Sequence, residues 1–208
     1  MFEAVITLVS VTALLLGSPG PAPIALSASG ATYGVRNSAP FLCGILSGLG
    51  FAIIGAAVGL ALLLATFPKV AYAVQLLGAI YVLYIAYKIA TAPFLALNSD
   101  RSELAPTFWD GFILNLLNPK AYAAFFAIFS QFQLPVNNAF SSELLTGLVC
   151  LAVAAVVDVV WLLMGGLIRP VLSSPKKSRI VRVSMSVSMV VVVAIALVQQ
   201  QGLLTIQA

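Results

Sequence analysis

FWDGFILNLLNPKAYAAFFAIFSQF, running from Phe108 to Phe132, decides the fold. The run is long enough to cross the hydrocarbon of a bilayer, which takes about 20 mainly apolar residues. Yet it carries Asn118-Pro119-Lys120 at its middle. A proline inside a helix removes a backbone donor and crowds the turn before it. Lipid offers the freed carbonyls no partner, so such a break is tolerated only against protein or a water-filled cavity. By the helical rise, Lys120 stands roughly 18 Å from the start of the run, too deep to reach an interface easily by snorkelling. An ionisable side chain at that depth is costly, and it marks a functional candidate.

The same pattern occurs near the start of the chain. An apolar run from Ala4 to Tyr33 is interrupted by Ser18-Pro19-Gly20-Pro21-Ala22-Pro23. Three prolines with a glycine imply a true break rather than a kink. Four further runs, near Phe41–Thr66, Val70–Thr91, Leu144–Ile168 and Val181–Gln199, are of spanning length. The first run is read as a retained helix, because Met1-Phe2-Glu3 is acidic where a signal peptide would be basic. The reading is therefore an all-α membrane protein of about six transmembrane helices. Composition agrees: 62% of residues are hydrophobic and 8% charged, against about a quarter charged in soluble domains. The mean hydropathy is +1.11.

The net charge of +4 does not point to nucleic acid, because the basic residues cluster in loops between apolar runs. If the helices alternate, Arg36, Lys88, Arg101, Arg169, Lys176, Lys177, Arg179 and Arg182 share one side, and the other receives only Lys69. The positive-inside rule makes the first side cytoplasmic. The expectation is a multi-pass membrane protein with both termini outside.

Pro19 and Pro119 each interrupt the first helix of a three-helix set, and a polar stretch from Asn98 to Pro106 separates the sets. The expected organisation is a first repeat over 1–97, a cytoplasmic linker over 98–107 and a second repeat over 108–208. Three is odd, so the second repeat crosses the membrane inverted relative to the first. Broken helices in corresponding positions of inverted halves point to a substrate site where they meet. The translocation-path candidates are accordingly Pro19, Gly20, Pro21, Asn115, Asn118, Pro119 and Lys120.

Asp158 completes the set as the one acidic residue deep in a span. It lies roughly 15 Å from the cytoplasmic end of its helix by the same rise, a depth similar to that of Lys120. Two readings stay open for the pair. It is either a buried ion pair that fixes packing, or it lines the path. In the second case Asp158 carries protons or meets a substrate amine, and Lys120 meets a carboxylate.

Other features read as packing. Gly44 with Gly48, and Gly55 with Gly59, have the spacing that lets helix backbones approach. Asp110 suits the positive end of a helix, and Trp109, Tyr33 and Tyr72 read as interfacial anchors. Ser184 and Ser188 share one helix face and suit bonding between helices. Cys43 and Cys150 read as buried small hydrophobes. The chain has no histidine, which removes the commonest metal ligand and general base. No cofactor or metal is expected, and one deep acid is too little for an intramembrane enzyme.

The motifs together resemble the lysine exporter family, the LysE/RhtB group of bacterial amino-acid efflux proteins. The resemblance is carried by Pro19-Gly20-Pro21, the stretch Gly30 to Arg36, Gly44, and the stretch Leu77 to Tyr84. Phe108 to Lys120, Phe129 to Phe132, and Asp158 with Trp161 carry it in the second half. It implies a transporter of the bacterial inner membrane rather than an enzyme, with an amino acid or related metabolite as substrate, exchanged for protons. A homodimer is compatible with it. The asparagine that commonly follows Pro-Gly-Pro is Ala22 here, and Ala86 replaces a frequent glycine, which leaves substrate choice open. The alternatives are a non-transporting assembly or lipid-product handling factor, and a metal-ion exporter of the same superfamily.

Overall fold

In the computed structural model the described residues are 2–59, 66–92, 105–132, 134–136, 138–168 and 174–206, and among them every regular element is an α-helix. The helices are α1 (Phe2–Gly17), α2 (Pro21–Tyr33), α3 (Ala39–Ala57), α4 (Pro68–Ala90), α5 (Phe108–Leu116), α6 (Pro119–Gln131), α7 (Ala139–Ile168) and α8 (Pro175–Ile206). Four of them are long and apolar enough to cross a membrane, and up to six spans result if each bent pair is one span. The bent pairs are α1 with α2, at 68°, and α5 with α6, at 58°. Most of linker 98–107, with Arg101, and Arg169 lie outside the described residues.

Local chemistry sets the breaks. Pro21 and Pro119 occupy the first turns of α2 and α6, where a missing N–H costs nothing. Gly20 precedes α2 with φ −162° and ψ 179°. Asn118 precedes α6, and its side chain accepts from the Lys120 backbone N–H at 3.1 Å. α5 begins with a capping box in which Thr107 and Asp110 serve each other's backbone.

α2 lies at the centre, with every residue from Ala22 to Tyr33 buried. Lipid tails are as apolar as leucine, so burial gives helices in a membrane little reason to associate, and close van der Waals contact must do it. Glycine provides that contact at two crossings. Where α2 meets α7, a Cβ on Gly30 would strike the Leu162 carbonyl and one on Gly165 the Ser27 carbonyl. Where α3 meets α5, a Cβ on Gly44 would strike the Phe108 carbonyl and one on Gly111 the Phe41 carbonyl. α4 packs along α8, and Ser186 Oγ donates to the Ala86 carbonyl across that contact at 2.9 Å.

Several sequence expectations change. α3 ends at Ala57, where Gly59, at φ 82°, closes its last turn, and residues 60–65 of the run expected to reach Thr66 lie outside the described residues. Gly59 is therefore a helix stop, with open space where a Cβ would stand. α7 and α8 start at Ala139 and Pro175, earlier than Leu144 and Val181, because their polar first turns are helical too. Tyr33 is 2% exposed and is not an interfacial anchor. Cys43 is exposed while Cys150 is buried, its Sγ 3.5 Å from Thr12 Oγ1. Ser188 donates to the Ser184 carbonyl of its own helix, so Ser186 makes the bond between helices that those two were expected to make.

Candidate functional site

The two breaks meet. A cavity of about 20 Å³ lies between them, lined by Leu16, Ala22, Pro23, Ile45, Leu49, Asn115, Asn118, Lys120, Ala121, Ala154 and Asp158. That volume holds about one water molecule.

Lys120 extends from the first turn of α6 to the other break, and its Nζ donates to the Ser18 carbonyl at 2.6 Å. The end of α1 leaves carbonyls without intrahelical donors, and the ammonium satisfies one of them. Its stem lies against Gly20, where a Cβ would come within 3.1 Å of both Cδ and Nζ. Gly20 is backbone-extended, a conformation open to any residue. Glycine is needed there for space, not for its dihedral freedom.

Asp158 enters the cavity from α7. It is 5% exposed, and its Oδ2 is buried with no hydrogen-bond partner. Lys120 and Asp158 therefore line one cavity without a direct ion pair. The ion pair present among the described residues is Lys88 with Asp110, at 2.9 Å. Asp110 also accepts from Tyr81 at 3.2 Å and from the Thr107 backbone at 2.6 Å. Asp110 thus ties the end of α4 to the start of α5, beyond the helix-dipole role that the sequence suggested.

Asn115 is 1% exposed. Its amide donates to the Ile45 carbonyl at 3.0 Å, and its oxygen accepts from Asn118 Nδ2 at 3.2 Å. Of the sequence candidates, Asn115, Asn118, Lys120 and Asp158 line the cavity. Gly20 touches it through Lys120, and Pro21 and Pro119 start the helices that face it. Pro19 lies in the break outside the lining. Sequence reasoning missed the apolar wall of Leu16, Ile45, Leu49 and Ala154, since nothing marks these among so many apolar residues. It also missed the Ser18 carbonyl, a backbone atom that no side-chain pattern reveals.

A family model described as LysE type translocator matches residues 13–201. The chain belongs to the LysE type translocator family. Membership makes it a multi-pass membrane transporter rather than an enzyme. The cysteine/O-acetylserine efflux proteins of Escherichia coli (strain K12) and Shigella flexneri serotype 5b (strain 8401) are similar to it. Each is 30% identical over 153 residues, covering 72% of this chain and 76% of the relative. No solved structure matches the chain significantly.

Proposed function

We propose that this translocator exports amino acids or closely related metabolites across the bacterial inner membrane in exchange for protons. The observation that carries the reading is the buried, unpartnered Asp158 carboxylate in a cavity shared with Lys120, where two broken helices meet. Lys120 serves as the partner of the substrate carboxylate. Asp158 serves in turn as the partner of the substrate amine and as the proton carrier. An acid left without a fixed partner is free to exchange one for the other. The efflux relatives support an amino-acid substrate.

The chain is organised in this reading as two inverted three-helix halves, 1–97 and 108–208, with linker 98–107 in the cytoplasm and both termini outside. The helix pairings support it. The first broken span packs on α7, the second broken span on α3, and α4 on α8. Exchanging the first three spans with the last three turns this set of pairings into itself. A heavy-metal cargo is less well served. Among the described residues no three His, Cys, Asp or Glu side chains gather as a metal site.

Proteoliposomes holding the purified protein and a panel of labelled amino acids test the proposal. Flux of at least one amino acid, accelerated by a pH gradient and reduced at least tenfold by Asp158→Asn, is expected. Absence of flux for the whole panel counts against export. Flux indifferent to the gradient counts against proton exchange.

A further inference from the structure

The sequence counts Arg182 among the loop charges, but the structure buries it. Pro175 starts α8, so Arg182 stands roughly 10 Å along that helix by the helical rise. It is 6% exposed, whereas Lys176, Lys177 and Arg179 are exposed. Arg182 shares the buried stripe of Ser178, Ser186 and Met189 on a helix that packs against α4 and α2. Tyr33, the last residue of α2, lies within electrostatic reach of it.

The guanidinium has a hydrogen-bonding edge left over. Nη1 donates to Ser178 Oγ at 2.6 Å, one turn back, so the group folds toward the start of α8. Nε is buried with no partner. Among the described residues no carboxylate pairs with Arg182, and the ion pair present joins Lys88 to Asp110. α8 itself contains no acidic residue, and its N-terminal end is positive. A buried charge left unpaired costs folding energy, and a buried ionisable residue in a membrane protein is a candidate site. Nε with its neighbour Nη2 is the fork that grips a carboxylate through two parallel hydrogen bonds.

We propose that Arg182 holds a second anion site, at the end of α2 away from the broken helices, and that it takes the carboxylate of a solute. α2 joins the two sites. Ala22 and Pro23 line the central cavity, and Pro23 to Tyr33 spans roughly 15 Å. In the topology given above this end of α2 is cytoplasmic, so a carboxylate is caught on Arg182 before it reaches Lys120. That loading role rests on the export reading, whereas the anion site does not.

Equilibrium binding of labelled L-lactate to the purified protein in detergent tests the site without any flux. Arg182→Met should weaken lactate binding at least tenfold, and Arg182→Lys, which keeps the charge but not the fork, should fall between. Lys120→Met removes the cation of the central cavity and should still bind lactate. Arg182→Met should not lower Tm, because it removes an unpaired buried charge. Lactate affinity unchanged in Arg182→Met, or binding lost in Lys120→Met, would overturn the site. So would a wild type that binds lactate only once Asp100→Asn and Glu103→Gln are introduced, since the chain's own acids would then be the counter-charge. In proteoliposomes sorted by orientation, lactate at the face holding Arg182 should slow flux of labelled L-serine from that face, and Arg182→Met should abolish the effect. Equal slowing from both faces would overturn the loading role while leaving the export reading intact. Absence of flux for every amino acid tried would overturn the export reading and the loading role together, and leave the anion site to the binding result.

Discussion

Gly20→Val should destabilise the protein chiefly through Lys120. Gly20 has φ −162° and ψ 179°, a region in which β-branched residues are at ease, so the backbone itself resists neither alanine nor valine. The obstacle is the lysine stem, 3.1 Å from a built Cβ. Alanine asks Lys120 to yield a few tenths of an ångström. Its bond to Ser18, now 2.6 Å, would lengthen to about 2.9 Å, still within the range of a charge-assisted bond. The cost should stay below about 0.5 kcal/mol, the size of an uneventful substitution. Valine fills the space beyond Cβ and displaces the ammonium. A hydrogen bond from a charged group contributes about 1.5–3 kcal/mol net. That is roughly a ten- to hundredfold change in the folded-to-unfolded ratio. The assay is a double-mutant cycle of Gly20→Val with Lys120→Ala, read as denaturant unfolding in detergent micelles. In the Lys120→Ala background the valine should cost less than about 0.5 kcal/mol, the scatter expected of uncoupled sites. Equal cost in both backgrounds would refute the contact.

Glycine positions should divide sharply by their neighbours. Gly44→Ala drives a Cβ into the Phe108 carbonyl and should cost about 1–3 kcal/mol as overpacking. Gly50→Ala meets open space on the same helix and should be neutral or stabilising by up to about 1 kcal/mol; thermal unfolding of both variants in detergent checks the contrast. Asp110→Ala removes the Lys88 ion pair and the Thr107 N–H half of the capping box, and leaves the Thr107 hydroxyl on the backbone N–H of residue 110. A hydrogen bond to a charged group contributes about 1.5–3 kcal/mol net, and Asp110→Asn, which keeps an acceptor oxygen, should lose less than alanine in the same assay.

Legibility followed the range of the physics. The two breaks were plain in the sequence because proline acts on its own turn, and the depth match of Lys120 and Asp158 followed from a constant helical rise. Crossing angles were not available. The bends of 68° and 58° bring Lys120 to the Ser18 carbonyl rather than to Asp158, and no residue spacing encodes that. Helix faces were also hidden, because a nearly uniform apolar surface has no strong side. Cys43 and Tyr33 were assigned opposite environments to those they occupy, and Ser186 was passed over for Ser184 and Ser188. Gly59 fitted a packing motif by spacing, yet it lies beyond the end of α3. The start of α5 at Phe108 was legible, and the Thr107-x-x-Asp110 box supplies its local cause.

The central claim is that solute occupies the cavity between the breaks, and protection of a cysteine there tests it most directly. Ala154 lines the cavity and is 1% exposed, whereas Arg36 is exposed in the turn between α2 and α3. Single cysteines at these positions, with Cys43→Ala and Cys150→Ala, are alkylated by a small maleimide in proteoliposomes with and without L-serine. The account predicts that serine slows modification at position 154 several-fold and leaves position 36 unchanged. Equal rates at position 154 with and without every transported amino acid would contradict it.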